Sequence, residues 1–144
     1  MKIKIINKSN NPLPSYESES SAGMDLKAFT SNDITINPLE RTIIKTGLFM
    51  SLPIGYEGQV RSRSGLSIKH GVCVLNSPGT IDSDYRGEIG VILINLSNDP
   101  FVISNGDRIA QLVIAKHDRG EWTEVNELEL TKRGDKGFGS TGIK

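Results

Sequence analysis

The segment Gly79–Gly87 (GTIDSDYRG) carries the residues best suited to chemistry. Asp82 follows Ile81 directly, and the turn-forming residues around it predict a tight β-hairpin corner. A carboxylate in that place either braces the turn or acts as a general base on a molecule held against the hairpin. Asn76 is predicted on the opposite arm, and Gly90 lies in the next strand, where glycine often marks the close approach of a ligand.

The C-terminal segment, residues 132–144, combines glycine with residue types that bind phosphate. Arg133 can bind a phosphate through two parallel hydrogen bonds, and Ser140 and Thr141 add hydroxyl donors. The glycines free backbone N–H groups to face an anion, and Phe138 can stack on a flat ring. This pattern is typical of a mobile lid that closes over phosphates. A frayed terminus with a chance aromatic residue explains the same composition.

Polar residues recur in three further segments. Arg63–Gly65 (RSG) opens a predicted short helix, where Ser64 is either the N-cap or a phosphate ligand. Asp25 lies among small and apolar residues and could meet a metal through water, brace a turn or form an ion pair. Gln111 can both donate and accept hydrogen bonds, whereas Asp107–Arg108 predicts a structural turn and an ion pair.

The elements that must position these residues are mostly short β-strands. The segments rich in Ile, Val, Leu and Thr are Lys2–Ile6, Arg41–Thr46, Leu48–Leu52, Glu57–Arg61, Gly71–Leu75, Glu88–Asn95 and Arg108–Ala115. A single short helix is predicted over Ser64–His70. Many short strands separated by turn residues indicate an all-β fold, a jelly-roll-like barrel or sandwich over residues 1–131, and its strand edges favour closed symmetric assembly.

Composition limits the classes of function. A chain of 144 residues favours one domain, and 17 basic against 17 acidic residues argue against non-specific binding of nucleic acid, although a single nucleotide can still be a ligand. The one cysteine, Cys73, excludes an intrachain disulfide and a cysteine-based zinc site. His70 and His117 are isolated and predicted to be structural or exposed. Without a signal-like start or an apolar run of about 18 residues, a cytoplasmic location and no membrane partner are expected.

Taken together, five segments resemble the five ordered motifs of the trimeric deoxyuridine triphosphate nucleotidohydrolases, the dUTPases. They are Ala22–Ala28 (AGMDLKA), Arg63–Ser67 (RSGLS), Asn76 with Gly79–Glu88 (GTIDSDYRGE), Gly106–Leu112 (GDRIAQL) and Arg133–Gly142 (RGDKGFGSTG). The resemblance implies a jelly-roll subunit and a homotrimer with three active sites. It also implies cleavage of dUTP to dUMP and pyrophosphate, with Mg²⁺ held mainly by the triphosphate.

The resemblance further implies a role for each candidate residue. Asp82 would orient and deprotonate the attacking water, Tyr85 would pack under the deoxyribose and exclude a 2′-hydroxyl, and Asp25 would meet Mg²⁺ through water. Implied uracil contacts are Asn76, the backbone at Gly79, Thr80, Ile81 and Gly90, and the ring of Phe138. Implied contacts to the phosphates or the water are Arg63, Ser64, Gly65, Gln111, Arg133, Ser140 and Thr141, with Gly139 in the same lid.

In that family each site is shared among subunits, so the Asp82 segment, the segments of Asp25, Ser64 and Gln111, and the tail would come from three different chains. Three residues depart from the usual pattern. They are Ser62 where Pro is common, Ser67 where Ala is common, and Lys136 where Gly is common. The first two bear on loop stiffness and helix packing and the third on lid closure, and none removes a group that the chemistry needs.

Three other functions fit parts of the pattern. A dCTP deaminase on the same fold would need an added acid/base group for the amine. A nucleotide-binding regulator that signals to a protein partner needs no catalysis, so the presence of both Asp82 and Arg133 argues against it. The third is a structural β-domain whose motifs are coincidental.

Overall fold

A computed structural model describes residues 1–137, which contain eleven strands and one helix. The strands are β1 (Lys4–Asn7), β2 (Gly23–Lys27), β3 (Ile34–Ile36), β4 (Arg41–Lys45), β5 (Leu48–Ser51), β6 (Tyr56–Arg61), β7 (Val72–Val74), β8 (Gly79–Ile81), β9 (Gly90–Asn95), β10 (Phe101–Ile103) and β11 (Arg108–Lys116). The helix, α1, spans Ser64–His70 as predicted. The all-β class is confirmed. In this part of the chain no helix is long and apolar enough to cross a membrane.

All seven predicted strands are present, with ends that differ from the prediction by at most two residues. Sequence reasoning missed β2, β3, β8 and β10, which are three to five residues long. Strands this short contain too few residues for an alternating pattern to stand out from a loop. Two of the four, β2 and β8, carry candidate site residues, so the site is built on strands more than its motifs indicated.

Antiparallel pairing joins the strands into four hydrogen-bonded sheets. A four-stranded sheet has the order β2-β11-β6-β8, and a three-stranded sheet has the order β4-β9-β7. Two smaller sheets pair β1 with β5 and β10 with β3. These sheets are not closed into a barrel, because the strands that carry the core divide between separate ladders.

The core lies between the inner faces of these sheets. Leu26, Val60 and Leu112 of the four-stranded sheet are buried together with Ile44, Leu93 and other apolar residues of the three-stranded sheet. Successive side chains of a strand point to opposite faces, and β9 shows this as a strict alternation of buried and half-buried residues. The residues that alternate with the buried ones therefore face away from the core, and Asp25 and Gln111 are among them.

Asn95 is a fully buried polar side chain at the end of β9, and every atom of its amide that can hydrogen-bond does so. Its Nδ2 donates to the carbonyls of Ile36 (2.9 Å) and Asp99 (2.8 Å), while its Oδ1 accepts from the N–H (2.9 Å) and hydroxyl (2.8 Å) of Ser97. The amide thereby ties β3 and the β9–β10 connection to the core.

We expect Asn95→Ala to lower the free energy of unfolding by about 1–3 kcal/mol, because it leaves buried backbone groups without partners. Urea denaturation at matched protein concentration measures the change. Ser97→Ala, which removes one hydroxyl at a half-buried position, is the control and should cost less. An Asn95→Ala protein as stable as the wild type would contradict this account of the amide.

Candidate active site

Asp82 lies at the start of the connection from β8 to β9, immediately after the last residue of β8. The predicted hairpin is wrong here, because β8 pairs with β6 whereas β9 pairs with β4 and β7 in a different sheet. The connection therefore crosses between sheets, and it turns where the N–H of Tyr85 donates to the carbonyl of Asp82 (3.1 Å). Local pattern predicts strands but not their partners, which long-range packing selects.

The side chain of Asp82 is exposed and borders an open depression of about 520 Å³. Gly55, His117 and Arg119 line the same depression. Among residues 1–137, no donor hydrogen-bonds the Asp82 carboxylate, so its oxygens are available to a ligand or a water molecule. Sequence reasoning missed Arg119 and gave His117 no part in a site, since both are distant from Asp82 along the chain.

Asn76 lies in the connection between β7 and β8, which also belong to different sheets, so its predicted place on a hairpin arm is wrong as well. Its amide nevertheless lies against β8, because a Cβ atom added to Gly79 would be 3.1 Å from Asn76 Nδ2. Thr80 is exposed and Ile81 is buried. The Asn76 amide thus lies against the first residue of β8, the strand that Asp82 follows.

Gly90, by contrast, is covered by the chain itself. It opens β9 opposite Lys45, and a Cβ atom added to it would lie 2.8 Å from Cδ1 of Ile43. The approach that the glycine permits within one chain is therefore that of Ile43, a side chain that is 61% exposed.

A second cluster forms around Asp25 on β2. Gln111 of β11 faces Asp25 on one side and Arg61 of β6 on the other, so the three residues form one row across the outer face of the sheet. The Asp25 side chain is only 11% exposed and accepts hydrogen bonds from Arg63 Nε (3.1 Å) and Arg108 Nη1 (3.4 Å). The ion-pair interpretation of Asp25 is thus correct for these residues, and it fixes Arg63 beside Gln111.

Asp107 and Arg108 are structural, as predicted, although they do not pair with each other. The Asp107 carboxylate accepts the N–H of Ser104 (2.8 Å) in the turn before β11. Arg108 pairs with Asp25 and, at 3.9 Å, with Glu17.

Ser64 is the first residue of α1 and not its N-cap, which corrects the prediction. The N-cap is Arg63, whose backbone is extended (φ −87°, ψ 125°) and whose carbonyl accepts the N–H of Ser67 (3.0 Å). No side chain caps this end, and Ser64 is exposed. A Cβ atom added to Gly65 would meet nothing within 4 Å, so packing inside the chain gives no reason for glycine there.

Two of the departures from the family pattern have structural partners. The Ser62 hydroxyl accepts the N–H of Val74 (2.9 Å), a bond that proline could not replace. The Ser67 hydroxyl donates to the carbonyl of Arg63 (3.1 Å) and lies 3.4 Å from that of Val72. The Ser62 bond ties the segment before α1 to β7, and the Ser67 bond ties α1 to Arg63.

One chain does not bring the Asp82 and Asp25 clusters together. Asp82 follows Ile81, which is opposite Gly58, whereas the row of Asp25 crosses β6 at Arg61. With strands about 4.8 Å apart and a rise of about 3.3 Å per residue, three strands across and four residues along separate the two carboxylates by roughly 20 Å. A single phosphate cannot contact both clusters of one chain.

The tail extends from the β domain with few contacts. Arg133 is exposed, and its Nε donates to the carbonyl of Lys136 (2.9 Å), so residues 131–136 form a local turn in which Gly134 has φ +58°. The remaining lid candidates, Phe138, Gly139, Ser140 and Thr141, lie outside the described residues.

The described residues offer Mg²⁺ few side-chain ligands. Within residues 1–137 no three carboxylate, histidine or cysteine side chains lie close enough to share an ion. Asp25 offers one carboxylate whose oxygens already accept from two arginines. Because Mg²⁺ usually keeps several waters and binds one or two carboxylates together with substrate phosphates, this donor set fits an ion carried mainly by a triphosphate.

Comparison with known proteins gives one consistent result. The dUTPase family model matches residues 9–142. The deoxyuridine 5′-triphosphate nucleotidohydrolase of Finegoldia magna is 60% identical over 142 residues, which is 99% of each protein, and that of Anaplasma marginale is 53% identical over 99% of each.

Solved structures agree with the sequence relatives. The Staphylococcus bacteriophage 80alpha dUTPase with dUPNHPP superposes with a TM-score of 0.89 at 28% identity over 99% of both chains. A mutant dUTPase from phage phi11 of S. aureus, described with a structural Mg(II) ion, gives 0.81 at 25% identity over 90% of this chain and all of that one.

Proposed function

Since the chain belongs to the dUTPase family and is therefore an enzyme of dUTP hydrolysis, we propose that Asp82 is the base that activates the attacking water. The observation that carries this assignment is the exposed Asp82 carboxylate at the edge of an open depression, directly after β8, whose Gly79 lies against the Asn76 amide. In the reaction a water oxygen bonds to the α-phosphorus, the bond to the bridging oxygen of the β-phosphate breaks, and the water proton passes to Asp82. Pyrophosphate and dUMP leave as products.

The segment from Asn76 to Tyr85, which runs past Asp82, provides for the base and the sugar. Asn76 and the backbone of Gly79, Thr80 and Ile81 bind the uracil edge, and cytosine is disfavoured because it leaves buried polar groups unpaired. Tyr85 packs under the deoxyribose, with its ring 46% exposed and therefore accessible to a ligand. Gly90 contributes through its backbone.

The phosphates are bound by the second cluster and by the tail. Arg63 has its Nε and Nη1 held by Asp25 and by the carbonyl of Arg108 (2.9 Å), which orients the guanidinium before substrate arrives. Ser64, Gly65 and Gln111 are exposed or half-buried beside it. From the tail, residues 132–144 act as a lid in which Arg133, Ser140 and Thr141 contact the phosphates, Gly139 frees the backbone and Phe138 covers the uracil.

Asp25 is the residue that would hold Mg²⁺, through water, beside the phosphates of the nucleotide. When bound, the ion neutralises charge that develops on the leaving pyrophosphate. The contribution of the chain is the Asp25 carboxylate, held in one orientation by Arg63 and Arg108.

The site is complete only in an assembly, and we assign that assembly as a homotrimer. The separation of roughly 20 Å between the Asp82 and Asp25 carboxylates supports this. Residues 117–131 also support it, because they contain no strand or helix and expose large apolar side chains, with Trp122 and Leu130 each 101% exposed and Leu128 86%. Such a segment is suited to cross onto a neighbouring subunit and deliver the lid there. The cytoplasmic location remains a prediction.

Two inactive variants should restore activity when their chains are mixed. The Asp82→Asn chain has an intact tail, and a chain that ends at Thr131 has an intact Asp82. If each site takes Asp82 and its lid from different subunits, equal random mixing completes roughly one quarter of the sites. Pyrophosphate release after co-expression measures the recovery, and a mixture of Asp82→Asn chains with Asp82→Asn chains ending at Thr131 is the control. An inactive first mixture would place both groups on the same subunit.

The test of the function itself is pyrophosphate release from dUTP, dTTP, dCTP and UTP with Mg²⁺. We expect turnover of dUTP far above that of the other three. Ammonia released from dCTP would instead identify a deaminase, and tight binding of dUTP without turnover would identify a regulator.

A further inference from the structure

We propose that Glu88 and Gly87 are positioning residues that set the place of the Tyr85 ring and, through it, the preference for deoxyribose over ribose. The inference depends on the sugar-contacting role of Tyr85 proposed above. It concerns two residues that neither touch the nucleotide nor take part in the chemistry. What the structure contributes is a chain of contacts from the β4–β5 turn to the Tyr85 hydroxyl.

The first contact fixes the hydroxyl of Tyr85. It donates to the backbone carbonyl of Glu88 at 3.1 Å, so the far end of the ring is bonded to the residue three positions later. The hydroxyl end of the ring lies against Gly87, because a Cβ atom added to Gly87 would overlap the Tyr85 hydroxyl and the ring carbons next to it. The ring therefore occupies space that any other residue at position 87 would take from it.

The second contact fixes Glu88 itself. Its carboxylate, on a side chain that is 24% exposed, accepts the N–H of Gly47 at 2.8 Å. Gly47 lies in the turn between β4 and β5 with φ +70°, and a Cβ atom there would be 2.7 Å from that of Ser9. The Gly47 N–H is thus held in one place by a turn that cannot easily rearrange. Lys45 Nζ, 3.9 Å from the other carboxylate oxygen, is 72% exposed and adds little.

Bonds on the far side of Glu88 secure the same turn. The Thr46 hydroxyl donates to the carbonyl of Ile89 (2.6 Å) and accepts the N–H of Leu48 (3.2 Å), and the N–H of Ile89 donates to the carbonyl of Leu48 (2.8 Å). Thr46 and Ile89 are both at most 1% exposed. Residue 89 therefore remains anchored without Glu88, and loss of the Glu88 carboxylate should loosen only residues 85–88.

This division makes the consequence specific. A ribose differs from a deoxyribose by one hydroxyl, so a ring held firmly under the sugar excludes UTP by contact, whereas a ring that can shift admits it. Substitutions at Glu88 or Gly87 change neither Asp82 nor the Arg63 cluster. The expected change is therefore in the choice between sugars and not in the rate with the preferred one.

The experiment compares kcat/KM for dUTP with kcat/KM for UTP. In Glu88→Ala we expect this ratio to fall on the order of tenfold, the size of effect that the loss of one positioning hydrogen bond produces, while kcat for dUTP stays within about threefold of the wild type. Glu88→Gln retains an oxygen that can accept the Gly47 N–H and should restore the ratio. Lys45→Met is the matched control and should leave it unchanged.

Two further variants keep the inference testable if Glu88→Ala folds poorly. Gly87→Ala forces the Tyr85 ring to move and should lower the ratio in the same direction. Tyr85→Phe removes the hydroxyl that donates to the Glu88 carbonyl. In that background the effect of Glu88→Ala should shrink, because the two changes act on one contact. A dUTP-to-UTP ratio that stays at the wild-type value in both Glu88→Ala and Gly87→Ala overturns the inference, as does an equal loss with both nucleotides. The wild-type rates report separately on the proposed function, since an enzyme without dUTP turnover would refute that first.

Discussion

Asp82→Asn should lower kcat for dUTP by a factor of about 10²–10⁴, the contribution of a positioned general base. The amide cannot accept the proton of the attacking water, and the exposed side chain has room to keep its shape and position in the depression. Binding should change little, because the uracil and phosphate contacts come from other residues. Single-turnover pyrophosphate release measures the rate, and titration with a non-hydrolysable dUTP analogue measures the affinity.

The matched control is Asp84→Asn, which removes a carboxylate that lines the same depression two residues along the chain. We expect it to retain most activity. An Asp82→Asn enzyme that turns over dUTP at the wild-type rate would refute the base assignment. Equal losses in both variants would show that the negative charge of the depression matters and not the position of one group.

Ending the chain at Thr131 should remove most dUTP turnover while the fold and the trimer remain. Residues 132–136 are exposed, and the hydrogen bonds recorded for them stay within residues 131–136, so the core loses nothing when they are removed. In the proposed site, loss of Arg133 and of the lid would let water reach the triphosphate and would remove donors to its charge, which we expect to reduce kcat/KM by at least about 10²-fold. Activity, circular dichroism and sedimentation test the three parts of this prediction.

Arg133→Met in the full-length chain separates the guanidinium from the rest of the lid and should produce part of the loss. Unfolding of the shortened chain would show that the tail is structural. That result would contradict both the frayed-terminus and the lid interpretation. Full activity of the shortened chain would leave the phosphates entirely to the Arg63 cluster.

Much of this architecture follows from local pattern. Segments rich in Ile, Val, Leu and Thr located seven strands to within two residues, and the extent of α1 was correct although its N-cap was not. Pairing could not be predicted in the same way. The Asp82 segment has the composition of a hairpin corner, yet β8 and β9 pair in different sheets, because long-range packing selects the partners of a strand.

The candidate site divides along the same line. The motifs predict Asp82, Asp25 and Gln111 as candidates, since each is a polar residue in a short segment of unusual composition. The bond between Glu88 and Gly47 joins positions 41 residues apart, and no local pattern indicates it. The sequence places Glu88 within a motif, and only the structure shows its bond to Gly47, from which its role follows.

The exposed apolar side chains of Trp122, Leu128 and Leu130 affect how the newly made chain folds. These side chains stay in water until another surface covers them, so part of the hydrophobic stabilisation arrives only by encounter. In the proposed trimer, folding and association share one equilibrium, so dilution should act on this protein as a mild denaturant.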